Sequence, residues 1–179
     1  AVGRKALFTN TTADNNVAVG FCALKTTTAG GNVAVGSLAA GALTTGHSNT
    51  ALGFCALTTA TSPEGNTALG NGALKLTTTG ADNLGVGRRA LCKNTTGGNN
   101  TSVGPYSMYC NISGAGNVAV GIQALCSNTT ASDNVGVGLN ALLTNTTGVN
   151  NTSVGASSAL RVTTGSQNVM LGHNAGDNV

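Results

Sequence analysis

Tryptophan is absent from this chain of 179 residues, and phenylalanine and tyrosine together supply only five side chains. A core filled by rings is therefore excluded. The hydrophobic share, 40% of the residues, is mostly Ala, Val and Leu, which suits a thin, regularly filled interior. Charge is just as scarce, 7% of the residues with a net of +3. Cations this sparse do not make the clustered footprint that tracks a phosphate backbone, which argues against nucleic acid as a partner. No apolar run approaches the ~18 residues needed to span a bilayer, so no membrane insertion is expected. The N-terminus also lacks the charged, apolar and small-residue zones of a signal peptide. The chain opens at Ala1 inside a motif and reaches Val179 partway through the turn "GHNAGDNV". Residues 1–179 are accordingly read as a single domain, a processed product or a segment of something longer whose targeting signals lie elsewhere.

What the chain has in quantity is glycine, 27 residues, and much of it is periodic. Glycine follows Val or Leu at Gly3, Gly20, Gly36, Gly53, Gly70, Gly87, Gly104, Gly121, Gly138, Gly155 and Gly172, at intervals of seventeen residues with one of sixteen. Other residues are numbered below from this anchor. At −4 stands Asn16, Asn32, Asn49, Asn66, Asn83, Asn100, Asn117, Asn134, Asn151 or Asn168, without exception from Gly20 onward. At +3 and +4 the commonest pair is Ala-Leu, and near +8 and +9 comes a Thr pair such as Thr95-Thr96.

Fixed-period similarity marks a repeat architecture, and seventeen residues are too few for the paired helices of the helical repeat classes. The Gly, Asn and β-branched content disfavours helix as well. The expected fold is all-β: a parallel β-solenoid of about eleven rungs, each with two or three strands of about four residues. In this reading the Val or Leu at −1 points into the core, the small residue at −2 faces outward, and the glycine takes a corner that a side chain would obstruct. The −4 asparagines occupy a left-handed corner and form a ladder of amides. The polar stretches "NTTGGNNTSVG" (94–104) and "NTTGVNNTSVG" (145–155) are then structural, each polar residue having a partner one rung away. Local bulges are expected at 37–47, 58–66 and 105–113, where the pattern departs.

The motifs "NNVAVG" (15–20), "GNVAVG" (31–36 and 116–121) and "NNTSVG" (99–104 and 150–155) are similar to the Asn-Ser-Val-Ala-Ile-Gly repeat in the heads of trimeric autotransporter adhesins. The longer units "GFCALKTTTAGGNVAVG" and "GLNALLTNTTGVNNTSVG" resemble repeats in tail-fibre proteins of phages and large viruses and in related bacterial surface proteins. The resemblance covers essentially the whole chain. It implies a trimeric fibre or filament segment, and it carries over no functional residue, because the matches are architectural.

The search for chemistry is brief. Four of the five acids, Asp14, Glu64, Asp82 and Asp133, fall at the turn before the −4 asparagine, where turn chemistry accounts for them and calcium along that edge is the alternative. His47 and His173 are over seven rungs apart, too far to share a metal site or a triad. "GVGRRAL" (85–91) has no βαβ context and is not a dinucleotide fingerprint. No catalytic residue, metal site or cofactor is expected. Of the five cysteines, Cys22 and Cys55 are two rungs apart, beyond bridging distance, whereas Cys110 is one rung from both Cys92 and Cys126; buried free thiols are the first reading and a bridge the second. Sequons at Asn10, Asn94, Asn111, Asn128 and Asn145 share one rung position and would align glycans along an edge, although the turn itself also asks for NTT. The positions after each anchor glycine are the most variable and hold the bulky groups, among them Phe21, Phe54, Arg88, Arg89, Tyr106, Ile122 and Leu139. That row is a candidate interface between chains or a ligand row.

These observations lead to a stiff spacer in an extracellular, cell-surface or virion-surface fibre, built from copies of itself as a homotrimer or an end-to-end filament. Two alternatives stand beside it. One is an adhesin recognising host-surface glycan or protein through the variable row. The other is an ice-binding solenoid using its Thr ladder, which adjacent Thr-Thr pairs disfavour, since they send only one residue per rung outward where a flat ice-matching face wants two ranks.

Overall fold

Three residues per repeat, held between the −4 asparagine and the anchor glycine, form every strand. They are β1 (Val17–Val19), β2 (Val33–Val35), β3 (Thr50–Leu52), β4 (Thr67–Leu69), β5 (Leu84–Val86), β6 (Thr101–Val103), β7 (Val118–Val120), β8 (Val135–Val137), β9 (Thr152–Val154) and β10 (Val169–Leu171). The structure, a computed structural model, describes residues 1–177; Asn178 and Val179, the end of the "GHNAGDNV" turn, lie outside them. The strands pair in parallel, each with its sequence neighbour, in one ten-stranded sheet of order β1 to β10. Equivalent positions stack: Ala18 on Ala34, Ala34 on Ala51, Ala51 on Ala68. This is an all-β parallel solenoid with no helix among the described residues. Against the expected eleven rungs there are ten strands, and the first repeat joins through a single bridge between Val2 and Val19. At about 4.8 Å per step the sheet runs on the order of 43 Å.

The strand faces are the reverse of the expectation. In every strand the central residue, small in all but β10, is buried and its two Val, Leu or Thr neighbours point outward. The reason lies on the opposite wall of the coil. There Leu24, Leu57, Leu74, Leu91, Leu125 and Leu142, all at +4 and fully buried, reach across to the sheet. A β-carbon placed on Gly85 would stand 3.2 Å from Leu74 Cγ, and one on Gly136 would stand 3.3 Å from Leu125 Cγ. With leucine filling the core from that side, the strand's inner position has room for Ala, Ser or Gly, with Met170 the largest in the row.

Nor does a coil hold two or three strands. After the anchor glycine the chain makes successive turns, with left-handed backbone at +2 (Cys55, φ 55; Arg89, φ 58) and again at +4 (Leu57, φ 53; Leu91, φ 50). Ala56 N–H donates to Gly53 O and Ala60 N–H to Leu57 O, closing the two turns of one coil. Left-handed leucine is uncommon and costs on the order of 1–3 kcal/mol. Each leucine offsets part of that through burial, worth about 1.5–3 kcal/mol. Between the turns the backbone still bonds from coil to coil, as in Leu57 N–H to Ala73 O and Thr59 N–H to Lys75 O.

The three segments expected to bulge keep the register. In 37–47, Ala39 and Ala40 take the +3 and +4 sites, and Ala40 keeps the left-handed φ of 47°. In 58–66, Pro63 is buried at +10, where most coils have Gly. In 105–113, Ser107 and Met108 fill the Ala-Leu sites, and Met108 N–H donates to Ala124 O at 2.9 Å.

The asparagine ladder is internal. Asn100 donates from its backbone N–H and from Nδ2 to Asn83 Oδ1 at 3.1 and 3.0 Å, and from Nδ2 to Gly114 O on the next coil at 2.9 Å. Its own Oδ1 accepts from Asn117 N–H and Nδ2. One side chain therefore ties three coils together. Asn32, Asn49, Asn66, Asn83, Asn117, Asn134 and Asn151 are likewise buried, while Asn16 and Asn168 are half-buried. The left-handed residue is the one before each asparagine, such as Asn99 (φ 57) or Asp82 (φ 54), and not the asparagine itself.

Candidate functional site

Grouping the charges by their place in the coil separates the signs, except for Asp177, which lies at +5 among the cation positions. All eight cations lie at +1, +2, +5 or +6: Arg4 and Arg88, Lys5 and Arg89, Lys25 and Lys75, Lys93 and Arg161. Asp14, Glu64, Asp82 and Asp133 lie at +11 or +12, beyond the Thr corner. The one ion pair among the described residues joins His47 Nε2 to Glu64 Oε1 at 3.4 Å on the acidic edge, exposed and of little energetic weight. His173 Nδ1 lies 3.1 Å from Ala156 O, far from that pair.

On the basic side one coil differs. Most coils place a side chain at +2, whereas Gly72 has none; a β-carbon there would meet only Arg89 Cγ, at 3.6 Å. The missing side chain opens a cleft of about 280 Å³. Phe54, Cys55 and Asn71 wall it on one side and Arg89 and Cys92 on the other, with Lys75, Leu76, Lys93 and Tyr109 along the flank. The cations are braced by rings: Arg88 lies 4.8 Å from the Tyr106 ring centre, Arg89 6.0 Å from the same ring, and Lys93 5.0 Å from that of Tyr109. Tyr106 and Tyr109 pack edge to face at 5.7 Å. Such contacts hold a cation in place without neutralising it.

Of the variable row, Phe54, Arg88, Arg89 and Tyr106 thus converge on or beside this cleft. Phe21, Ile122 and Leu139 are exposed on other coils and take no part in it. Lys75, Lys93 and Tyr109 are members that the sequence reading missed. They sit at +5 and +6, around the turn from the row it singled out, and only sorting cations by coil position would have found them.

All five cysteines are free thiols, which leaves the bridge through Cys110 unmade. Burial pushes the Cys92 thiol above its ordinary value of 9.0, partly opposed by Arg89, Lys75 and Lys93. Burial, reinforced by Cys110, pushes Cys126 up in the same way.

The row of sequons needs correction. Asn94, Asn111, Asn128 and Asn145 are fully buried and form a second ladder. Asn111 Nδ2 donates to Asn94 Oδ1 at 2.8 Å and to Gly114 O at 3.0 Å, and Asn128 Nδ2 donates to Asn111 Oδ1 at 2.9 Å. A glycan on these nitrogens has no room in the folded coil. Asn10, half-buried, spends its amide on Ala13 O at 2.9 Å. The Thr pairs need one too. Both members lie at the surface, for example Thr44 and Thr45, but the first spends its hydroxyl on the next coil, as in Thr44 Oγ1 to Thr61 O at 2.8 Å.

Comparison with protein-family models, with curated proteins and with solved structures finds no match to this chain.

Proposed function

We propose that this chain is a structural segment of an extracellular, cell-surface or virion-surface fibre, a stiff spacer assembled from copies of itself, with three chains per rod. The observation that carries the reading is the outer face of the sheet. Its outward positions are Val or Leu throughout, except for Thr50, Thr67, Thr101 and Thr152, and no charge interrupts them. Large apolar side chains stand in solvent along it, among them Val17, Leu52, Val120 and Leu171. A stripe this long is costly in water and is the mark of a surface that meets another. A second copy is the natural occupant, because its side chains recur at the same spacing and interdigitate coil for coil. The interface thus moves from the variable row to the strand face, on the other side of the glycine corner.

Light scattering with electron microscopy of the wild type and of the Leu52→Lys/Val120→Lys variant tests this. The expected result is a discrete trimer of short rods that the two lysines dissociate with the circular dichroism unchanged. A monomeric wild type would sink the assembly, and long polymers would point to end-to-end stacking. A second reading, ice binding, is favoured by the two outward Thr and Ser ranks and opposed by the bonds that occupy one of them. Thermal hysteresis of the purified chain separates the two.

A further inference from the structure

The cleft at Gly72 has no structural duty. It breaks a row that is otherwise filled, and it is surrounded by cations that make no ion pair among the described residues, two of which, Arg89 and Lys93, lie against tyrosine rings. We propose that it is a binding site for an anionic glycan, a chain of sugars bearing sulfate or carboxylate groups. The proposal stands apart from the fibre reading, since one chain supplies the whole site on a side away from the apolar strand face.

Three observations lead to that ligand class. First, Lys75, Arg89 and Lys93 surround the cleft while four of the five acids sit on another edge, so the local field is positive without a competing carboxylate. Arg89 offers the planar fork that pairs with sulfate or carboxylate two bonds at a time. Second, these cations are exposed and lie on two adjacent coils about 4.8 Å apart, Lys75 on one and Arg89 and Lys93 on the next. That arrangement suits a chain lying along the rod better than a small ion that must be engulfed. Third, the wall is mixed: Phe54 and Leu76 present apolar surface to the face of a sugar ring, and a volume of about 280 Å³ is of the size of one such ring. A nucleic-acid strand fits less well, because stacking successive bases needs several free aromatic faces and the cleft offers only that of Phe54. Tyr106 and Tyr109 have theirs engaged with cations and with each other.

The test is calorimetric titration of the full chain with a heparin hexasaccharide at about 0.15 M NaCl, where exposed charges are screened beyond ~8 Å. One saturable site per chain is expected. Lys75→Ala/Lys93→Ala should weaken it at least tenfold, and Gly72→Gln, which restores a side chain of the kind Gln123 carries at the same position, should block it. Lys25→Ala and Arg161→Ala, on the same basic side but outside the cleft, should leave it within about twofold. A hyaluronan hexasaccharide distinguishes the sources: equal binding supports carboxylated glycans and heparin preference supports sulfated ones. Absence of saturable binding to either, equal losses in the control variants, or tighter binding of an oligothymidine would each overturn the proposal. Melting curves of each variant confirm that the fold is retained, and the two exposed lysines serve if Gly72→Gln does not fold.

Discussion

A single β-carbon decides whether these coils can stack. At the anchor position the backbone of one coil presses on that of the next, and a β-carbon on Gly53 would lie 2.7 Å from the Gly70 carbonyl carbon with φ at +136°. Gly53→Ala is therefore expected to cost about 3 kcal/mol or more, combining strain with a backbone clash, and urea unfolding would measure it. Buried polar atoms make the opposite case. Thr77 sits one coil before Asn94 in the second ladder, with its hydroxyl buried and unpartnered. Thr77→Asn would extend that ladder, giving Asn94 Nδ2, which already donates to Gly97 O, a second acceptor. A gain of about 1 kcal/mol is expected, raising Tm by ~2–4 °C in a chain of this size. The thiols supply a pH dependence. Cys92 and Cys126 are raised above 9.0 in the folded state, so their contribution is complete below that value. As pH climbs past it the unfolded thiols ionise first, the folded state holds more protons, and stability falls until the folded values are passed. Urea midpoints should thus drop between about pH 8 and pH 10, and Cys92→Ala/Cys126→Ala should flatten the drop.

Within a coil, residues vary in concert. Where the +4 site holds alanine instead of leucine, as at Ala40 and Ala159, the +7 site becomes Leu43 or Val162, while leucine coils have Ala60, Thr77 or Asn94 there. The volume moves three residues along the same thin core. Leu43→Ala is expected to cost about 2–5 kcal/mol, and adding Ala40→Leu to recover most of it, which a double-mutant cycle by thermal unfolding would show. Serine behaves likewise. Ser102 faces Ser107 and their hydroxyls bond to each other, in a coil where both sites would otherwise be alanine. Ser153 and Ser158 occupy the same two sites in a later coil but do not bond to each other: Ser158 Oγ donates to Met170 O and Ser153 Oγ has no partner. Strand alternation was readable as a pattern in the sequence, but its polarity was not. Period two says that −3 and −1 share a face; which face is inside depends on the leucine that crosses from +4, and no propensity scale places a left-handed backbone on leucine.

The whole rod separates its surfaces around its circumference: an apolar strand face, a basic side carrying the cleft, a Thr corner and an acidic edge. The forces on the first two respond to salt in opposite directions. Association through the strand face involves no charge, so raising NaCl from about 0.1 to about 1 M should leave the oligomer intact, while glycan binding at Gly72 should be lost over the same range. Size-exclusion chromatography and titration on one preparation would show the divergence.

Period, parallel solenoid, anchor glycine and a stacked asparagine row were all readable from residue spacing, because each coil repeats one set of local constraints and stacking aligns equal positions. Two things depended on the folded coil. Which residues face inward follows from the width of the core, set by leucines across it. Which charged and aromatic residues meet at Gly72 follows from stacking, which brings residues about seventeen apart to within one strand spacing. A linear pattern records the order of residues along the coil, whereas the sidedness of the wall and the neighbours across coils arise only when the chain closes on itself.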